Sequence, residues 1–130
     1  TALVIPAFIH RMVNGENPVN VWGDGSAVRD FIFSEDIAYW ILEAVEKAPA
    51  GLPLNMGSGN GVKIKEIAET IARAVSPSPE IYWDISKPSG DPRRTLAINR
   101  AIEIIGYNPQ TSLEEGIRKT IDWYLKNSSS

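Results

Sequence analysis

The chain has 130 residues, 43% of them apolar and 22% charged, and a net charge of −3, enough for one domain whose core buries roughly two-thirds of its unfolded surface. No block of like charge suggests a nucleic-acid or acidic-membrane partner, and no apolar run approaches the ~20 residues of a membrane span. The absence of cysteine removes disulfides, thiolate catalysis and cysteine metal sites, and a single histidine, His10, removes a His-rich metal site.

Val4 to Val13 reads as a helix, with Val4, Ile5, Phe8, Ile9, Met12 and Val13 recurring at three- and four-residue spacing. Pro6 lies in the first turn, where its missing N–H is not needed. Asn14-Gly15 closes the helix. Arg11 falls off the apolar stripe and can point toward a cleft. His10 is read as part of an ordinary polar face.

The next stretch, WGDGSAVRDFIFSED from Trp22 to Asp36, organises the chain. Pro18 to Trp22 is a short strand that runs into a Gly23-Asp24-Gly25 turn. A second strand follows, with Arg29 on one face beside Phe31 and Phe33, and Asp30 on the other between Val28 and Ile32. Taken alone, the stretch reads as a hairpin with a solvated arginine. Ser34 is expected as an N-cap, with Glu35 and Asp36 in the first turn of a helix. Ile37, Ile41, Ala44, Val45 and Ala48 are its expected buried stripe, with Tyr39 and Trp40 on the flanks.

Leu52 to Met56 is expected as a short apolar strand leading through Gly57-Ser58-Gly59-Asn60-Gly61 into a helix. This loop has neither the G-x-G-x-x-G spacing nor the Lys-Ser/Thr ending of a phosphate cradle, so it reads as a tight connection. Ile64, Ile67, Ala68, Ile71, Ala72 and Val75 give the cleanest helical stripe in the chain. Glu80 to Ile85 alternates as a strand. Ser86 to Thr95, SKPSGDPRRT, is a loop carrying Lys87, Arg93 and Arg94. Three cations on such a loop do not serve core packing; they meet water or an anion, and their bonds to phosphate are of the strong, charge-assisted kind. Asn99 is expected to cap a short helix with Ala101, Ile102 and Ile105 inward and Gly106 as its stop. Ser112 with Glu115 forms a capping-box pattern. Leu113, Ile117, Ile121, Tyr124 and Leu125 make the last amphipathic helix.

The expected fold class is α/β: a small mixed sheet of short strands with four or five helices in a single unit, residues 1–126, before a polar tail at 127–130. No nucleophile–base pair, acid–base carboxylate pair or metal cage is visible. The residues by themselves describe a basic, aromatic-bearing cleft that binds an anion or nucleotide.

The segments VIPAFIHR, VWGDGSAVRDFIFSEDIA, LNMGSGNGVKIKEIAETIA, SKPSGDPRRT and GYNPQTSLEEGIRKTIDWYL, in this order, carry a family likeness. Together they resemble the C-terminal substrate lobe of extended short-chain dehydrogenases, the NAD-dependent epimerase/dehydratase family, and within it the GDP-L-fucose synthase group. The resemblance implies a two-lobed cytoplasmic parent. Its N-terminal Rossmann lobe would bind NAD or NADP and carry a Tyr-x-x-x-Lys set, while this chain, a piece of that parent, would bind the nucleotide diphosphate sugar. It implies no catalytic, cofactor-binding or metal-binding residue here. The substrate-binding residues it matches are Arg11, near the substrate; Trp22, at the base; Arg29, on the diphosphate; and Lys87 and Arg94, on the phosphate-binding loop. The implied partners are the sugar nucleotide, the Rossmann lobe and further copies of the chain through an exposed lobe face. Two departures stand out. Leu3 occupies the place of the group's proton-donating histidine, which points away from 3,5-epimerisation and toward a reductase, 4-epimerase or dehydratase. The connection between Arg11 and Trp22 is also shorter than in that group. The alternative is a non-catalytic nucleotide-binding or interaction module of the same descent.

Overall fold

The computed structural model describes residues 3–128. Five helices and five short strands follow in the order α1 (Val4–Val13), β1 (Val19–Trp22), β2 (Val28–Asp30), α2 (Ser34–Lys47), β3 (Gly61–Lys63), α3 (Ile64–Ala74), β4 (Ile81–Asp84), β5 (Arg93–Arg94), α4 (Asn99–Ile105) and α5 (Leu113–Asn127). The α/β class expected from the sequence is what the chain adopts.

The strands form two small sheets rather than one. β1 pairs in parallel with β4. β2 lies at the centre of a second sheet, antiparallel to β3 and parallel to β5. The Trp22–Asp36 stretch is therefore not a hairpin: its two strands belong to different sheets, and the Gly-Asp-Gly turn carries the chain between them. Asp24 stabilises that turn by accepting the Ser26 amide at 2.9 Å, a local bond equally compatible with a hairpin or a crossover.

The main core lies between α1, α3, α5 and the β1–β4 ladder. Ile9, Val19, Ile67 and Ile71 are fully enclosed, joined by Phe8, Met12, Ile117 and Ile121. Each such side chain contributes about 1.5–3 kcal/mol by leaving water. His10 ties the same helices together at the surface, its Nδ1 lying 2.8 Å from the Tyr124 hydroxyl.

A second cluster of Ala101, Ile105 and Tyr107 takes Trp40 and Ala44 from α2 and Ala48 from just beyond its end. The expected stripe of α2 is thus rotated. Trp40 turns inward, while Ile41 and Val45 are 47% and 77% exposed and no residue of α2 is fully buried. Ser34 is the first residue inside α2 rather than its cap, and Phe33 precedes it without a side-chain cap. The anchor is instead Asp36, whose carboxylate accepts the Thr111 amide and hydroxyl at 2.9 and 3.0 Å.

Leu52 to Met56 forms no strand. A strand needs a neighbour, and both edges of β2 are already taken by β3 and β5. The Gly-rich loop consequently enters β3 before α3 begins. Toward the end of the chain, Asn99 starts α4 without capping it, and Ile102 faces outward, 49% exposed. Gly106 stops α4 at a left-handed φ of 67°, and the Ser112 hydroxyl accepts the Glu115 amide at the start of α5. α5 runs to Asn127 with Leu125 exposed; residues 129–130 of the expected tail lie outside the described ones.

Tyr107 closes the second cluster. Its ring meets Trp40 edge-on at 5.3 Å and its hydroxyl donates to the Gly57 carbonyl at 2.6 Å. Burial, and then the charges of Asp30 and Asp36, push its phenol up to about 12. An unfolded tyrosine ionises near about 10, so above that pH the unfolded state holds fewer protons and stability falls as pH rises toward 12. Tyr107→Phe leaves the Gly57 carbonyl without this donor. Urea unfolding is expected to show a loss of about 1–2 kcal/mol and a weaker alkaline decline. A variant with the stability and pH profile of the parent chain would remove Tyr107 from this role.

Candidate functional site

The cationic loop after β4 is a strap laid across the start of the neighbouring sheet. It leaves β4 through a turn in which the Lys87 amide donates to the Asp84 carbonyl at 3.1 Å. It then passes over Gly23, whose φ is 84° and where a Cβ would meet Ser89 Cα at 2.9 Å. Glycine is required there twice over, for its left-handed backbone and for the close approach of the strap. Gly90 next runs past the Arg29 guanidinium, at 3.6 Å from the position of a Cβ to Nη2. The Pro92 carbonyl accepts the Val28 amide at 2.9 Å, and Arg93–Arg94 then join β2 as β5.

This path gathers four of the five residues singled out in the sequence. At one end the Lys87 ammonium sits 5.7 Å from the ring centre of Trp22, which is 63% exposed. At the other end Arg29 and Arg94 are ladder partners. Arg29 donates from Nη1 to the carbonyls of Val28 and Asp91, both at 2.8 Å, while its Nη2 donates to nothing among the described residues. Arg94 pairs through Nε with Asp91 at 3.0 Å, both side chains being mostly exposed. Such an exposed pair is weak, so both guanidiniums are positioned without being consumed. An aromatic platform with one cation and a two-arginine cluster thus lie along a single strap.

Arg11 is placed differently. Its guanidinium holds Glu16 through two bonds of 2.7 Å and also donates to the Asn20 carbonyl of β1 at 2.7 Å. The hydrogen bond to Arg11 holds the Glu16 carboxyl below its usual range, and the same bond raises Arg11. Arg11 therefore braces β1 two residues before Trp22. Its partner lies only five residues on, in the Asn14-to-Pro18 connection.

The sequence reading did not single out Asp30. Its carboxylate accepts the Ser58 amide at 2.7 Å and the Leu96 amide at 3.3 Å, pinning the Gly-rich loop and the strap's exit onto β2. The signal was available: an acidic side chain on a strand face between two aliphatics has to find donors. Two amides of the Gly-rich loop are occupied, Ser58 by Asp30 and Asn60 by the Ser58 hydroxyl at 3.0 Å, and the loop lacks the G-x-G-x-x-G spacing of a dinucleotide pyrophosphate cradle. No helix of the described residues is long and apolar enough to cross a membrane, and no group of three acidic, His or Cys side chains among them could hold a metal ion.

Residues 2–57 match the NAD dependent epimerase/dehydratase family, so this part of the chain is similar to that family. GDP-L-fucose synthase 1 of Arabidopsis thaliana is 36% identical over 95% of this chain and 39% of its own length. Among solved structures, an epimerase of Methanothermobacter thermautotrophicus superposes with a TM-score of 0.87 at 28% identity, over 98% of this chain and 38% of that one. UDP-glucose 4-epimerase of Thermotoga maritima, solved with UDP-glucose, gives 0.81 at 29% identity, over 98% of this chain and 40% of that one. The likeness read from the sequence motifs therefore holds, and the chain spans about two-fifths of the length of the curated relatives it matches.

Proposed function

We propose that this chain is the substrate-binding lobe of a cytoplasmic NAD(P)-dependent nucleotide-sugar epimerase, reductase or dehydratase. It holds the nucleoside diphosphate and lacks the catalytic set. The observation that carries the reading is the strap, which has Trp22 and Lys87 at one end and Arg29 and Arg94 at the other. A base stacks on Trp22, and Arg29, Arg94 and Lys87 take the diphosphate. Each charge-assisted bond contributes about 1.5–3 kcal/mol before desolvation. Arg11 can add to the site only by exchanging Glu16 for ligand, and its share rests on the resemblance alone.

NAD or NADP would be held by the Rossmann lobe, because the Gly-rich loop of this chain lacks the spacing of a dinucleotide cradle. The cofactor supplies redox chemistry at the sugar, and the residues described here supply orientation. Binding energy collected at the base and phosphates places the sugar against the reacting groups of the other lobe. The outward side of α2, with Ile41, Leu42 and Val45, is the side that lobe would cover, beside the groove that Ile41 and Val45 form with Leu52, Leu54 and Met56.

Two tests follow. Calorimetric titration of the chain with GDP and UDP is expected to give heat, and Arg29→Ala to weaken binding about ten- to hundredfold. Undiminished affinity would take Arg29 out of the site. The bare α2 side is also expected to drive self-association, as an exposed apolar patch does. Sedimentation should show concentration-dependent association that Leu42→Glu with Val45→Glu abolishes. A strict monomer at high concentration would contradict the covered-face reading.

A further inference from the structure

The two-stranded β1–β4 sheet has two outer edges, and they are treated differently. On β1 the Asn20 carbonyl, turned away from β4, accepts the Arg11 guanidinium at 2.7 Å. On β4 the Glu80 and Asp84 carbonyls take the Val19 and Gly23 amides of the β1 side. In a parallel ladder the amide and carbonyl of one residue face the same neighbour, and those of the next residue face the other way. Ile81 and Trp83 therefore turn their amides and carbonyls away from β1. None of these groups has a hydrogen-bond partner among the described residues. Beside this bare edge lies a shallow groove of about 310 Å³, lined by Glu69, Ala72 and Arg73 of α3 and by Pro79, Ile81 and Trp83. No residue of β1 lines it, so the groove runs between α3 and the outer side of β4.

We propose that the β4 edge takes an extended segment of a partner protein as an added antiparallel strand, one with basic residues four apart and apolar residues turned into the groove. A bare edge alone is ordinary, since small folds keep edge strands short and charged to refuse partners. An edge with a strand–helix groove alongside offers more: main-chain bonds hold an extended peptide, and its alternate side chains fill the groove. The chemistry of the partner follows from the register. Side chains alternate along a strand, so Glu80, Tyr82 and Asp84 share the outward face and Ile81 and Trp83 the inward one. Glu80 and Tyr82 are exposed, and neither Glu80 nor Asp84 enters an ion pair among the described residues. Opposite charges facing each other across a ladder attract and like charges repel. A strand with Lys or Arg at i and i+4 meets both carboxylates, and apolar residues at i+1 and i+3 then lie against Ile81, Trp83 and Ala72. A second copy of this chain does not supply that strand. Antiparallel pairing of β4 with itself about Tyr82 sets Glu80 against Asp84 in both directions, and no two of the 13 Lys and Arg residues stand four apart in the sequence.

The probe is the blocked peptide Thr-Lys-Val-Thr-Val-Lys-Thr, added to the 130-residue chain with amide hydrogen exchange followed by NMR. In the free chain the Ile81 and Trp83 amides are expected to exchange fast, and those of Tyr82 and Asp84, which face β1, slowly. Saturating peptide is expected to slow Ile81 and Trp83 at least about tenfold. N-methylation of both valine amides, which face the edge, should abolish binding, while N-methylation of the central Thr amide, which faces away, should leave it. Glu80→Lys should weaken binding about three- to tenfold. Unchanged exchange at Ile81 and Trp83 in excess peptide would overturn the proposal. Equal sensitivity to the two N-methylations would reduce the contact to charge adsorption and overturn it as well. Protection of the same amides that grows with chain concentration, without peptide, would make the occupant a second copy and contradict the partner assigned here.

Discussion

β2 is three residues long, and the site hangs on it. Its two edges are filled by β3 and β5. Its two faces carry Arg29 and Asp30, whose side chains hold opposite parts of the chain. Arg29 grips the strap through the Asp91 carbonyl, and Asp30 grips the Gly-rich loop and the residue that follows the strap. So short a strand has little ladder stability of its own. The two side chains and the backbone bond from Val28 to Pro92 supply what the ladder does not. The same residue whose Nη2 donates to nothing among the described residues therefore holds in place the loop that brings the other cations, so in the proposed site binding and positioning would be coupled at Arg29.

That coupling explains why cations can cluster here in a chain of net negative charge. Arg29 and Arg94 are register partners and would repel if left bare. Asp91 lies between them, with its carbonyl on Arg29 and its carboxylate on Arg94. Both contacts are solvent-exposed and cheap to open, so an anion with several oxygens can replace the Asp91 carboxylate without a large desolvation cost. Arg11 shows the contrasting arrangement. Its bidentate pair with Glu16 and its bond to Asn20 occupy the guanidinium, and the result is a rigid β1 edge.

What could be read from the sequence followed the range of the interactions involved. α1 and α3 carry their apolar stripes within a few turns, and Gly106 and Ser112 act within three residues of themselves, so local pattern sufficed. Strand pairing is decided by residues far apart in the chain. The turn at Gly23 gave no sign that β2 would pair with residues 93–94 instead of with β1, nor that Leu52–Met56 would find no edge. The face of α2 was misjudged for a related reason: Trp40 turns inward because Tyr107, from beyond α4, is there to meet it. Within the candidate site, Lys87 and Arg94 stood out in the sequence because a cation-rich loop with two prolines has no packing role, whereas Trp22 and Arg29, on β1 and β2, were given their roles by the family resemblance. The pairing of Arg11 with Glu16 and the anchoring by Asp30 depend on backbone paths that residue types do not reveal.

The central claim is that the strap and the end of β1 form one nucleotide site. The most direct measurement is an amide and indole NMR spectrum of the labelled chain as GDP is added. The account expects shifts that saturate together at the Trp22 indole, Arg29, Lys87, Gly90 and Arg94, with α2 and α5 unmoved. Shifts confined to α2, or to the Gly57–Gly61 loop, would place the nucleotide elsewhere and contradict it.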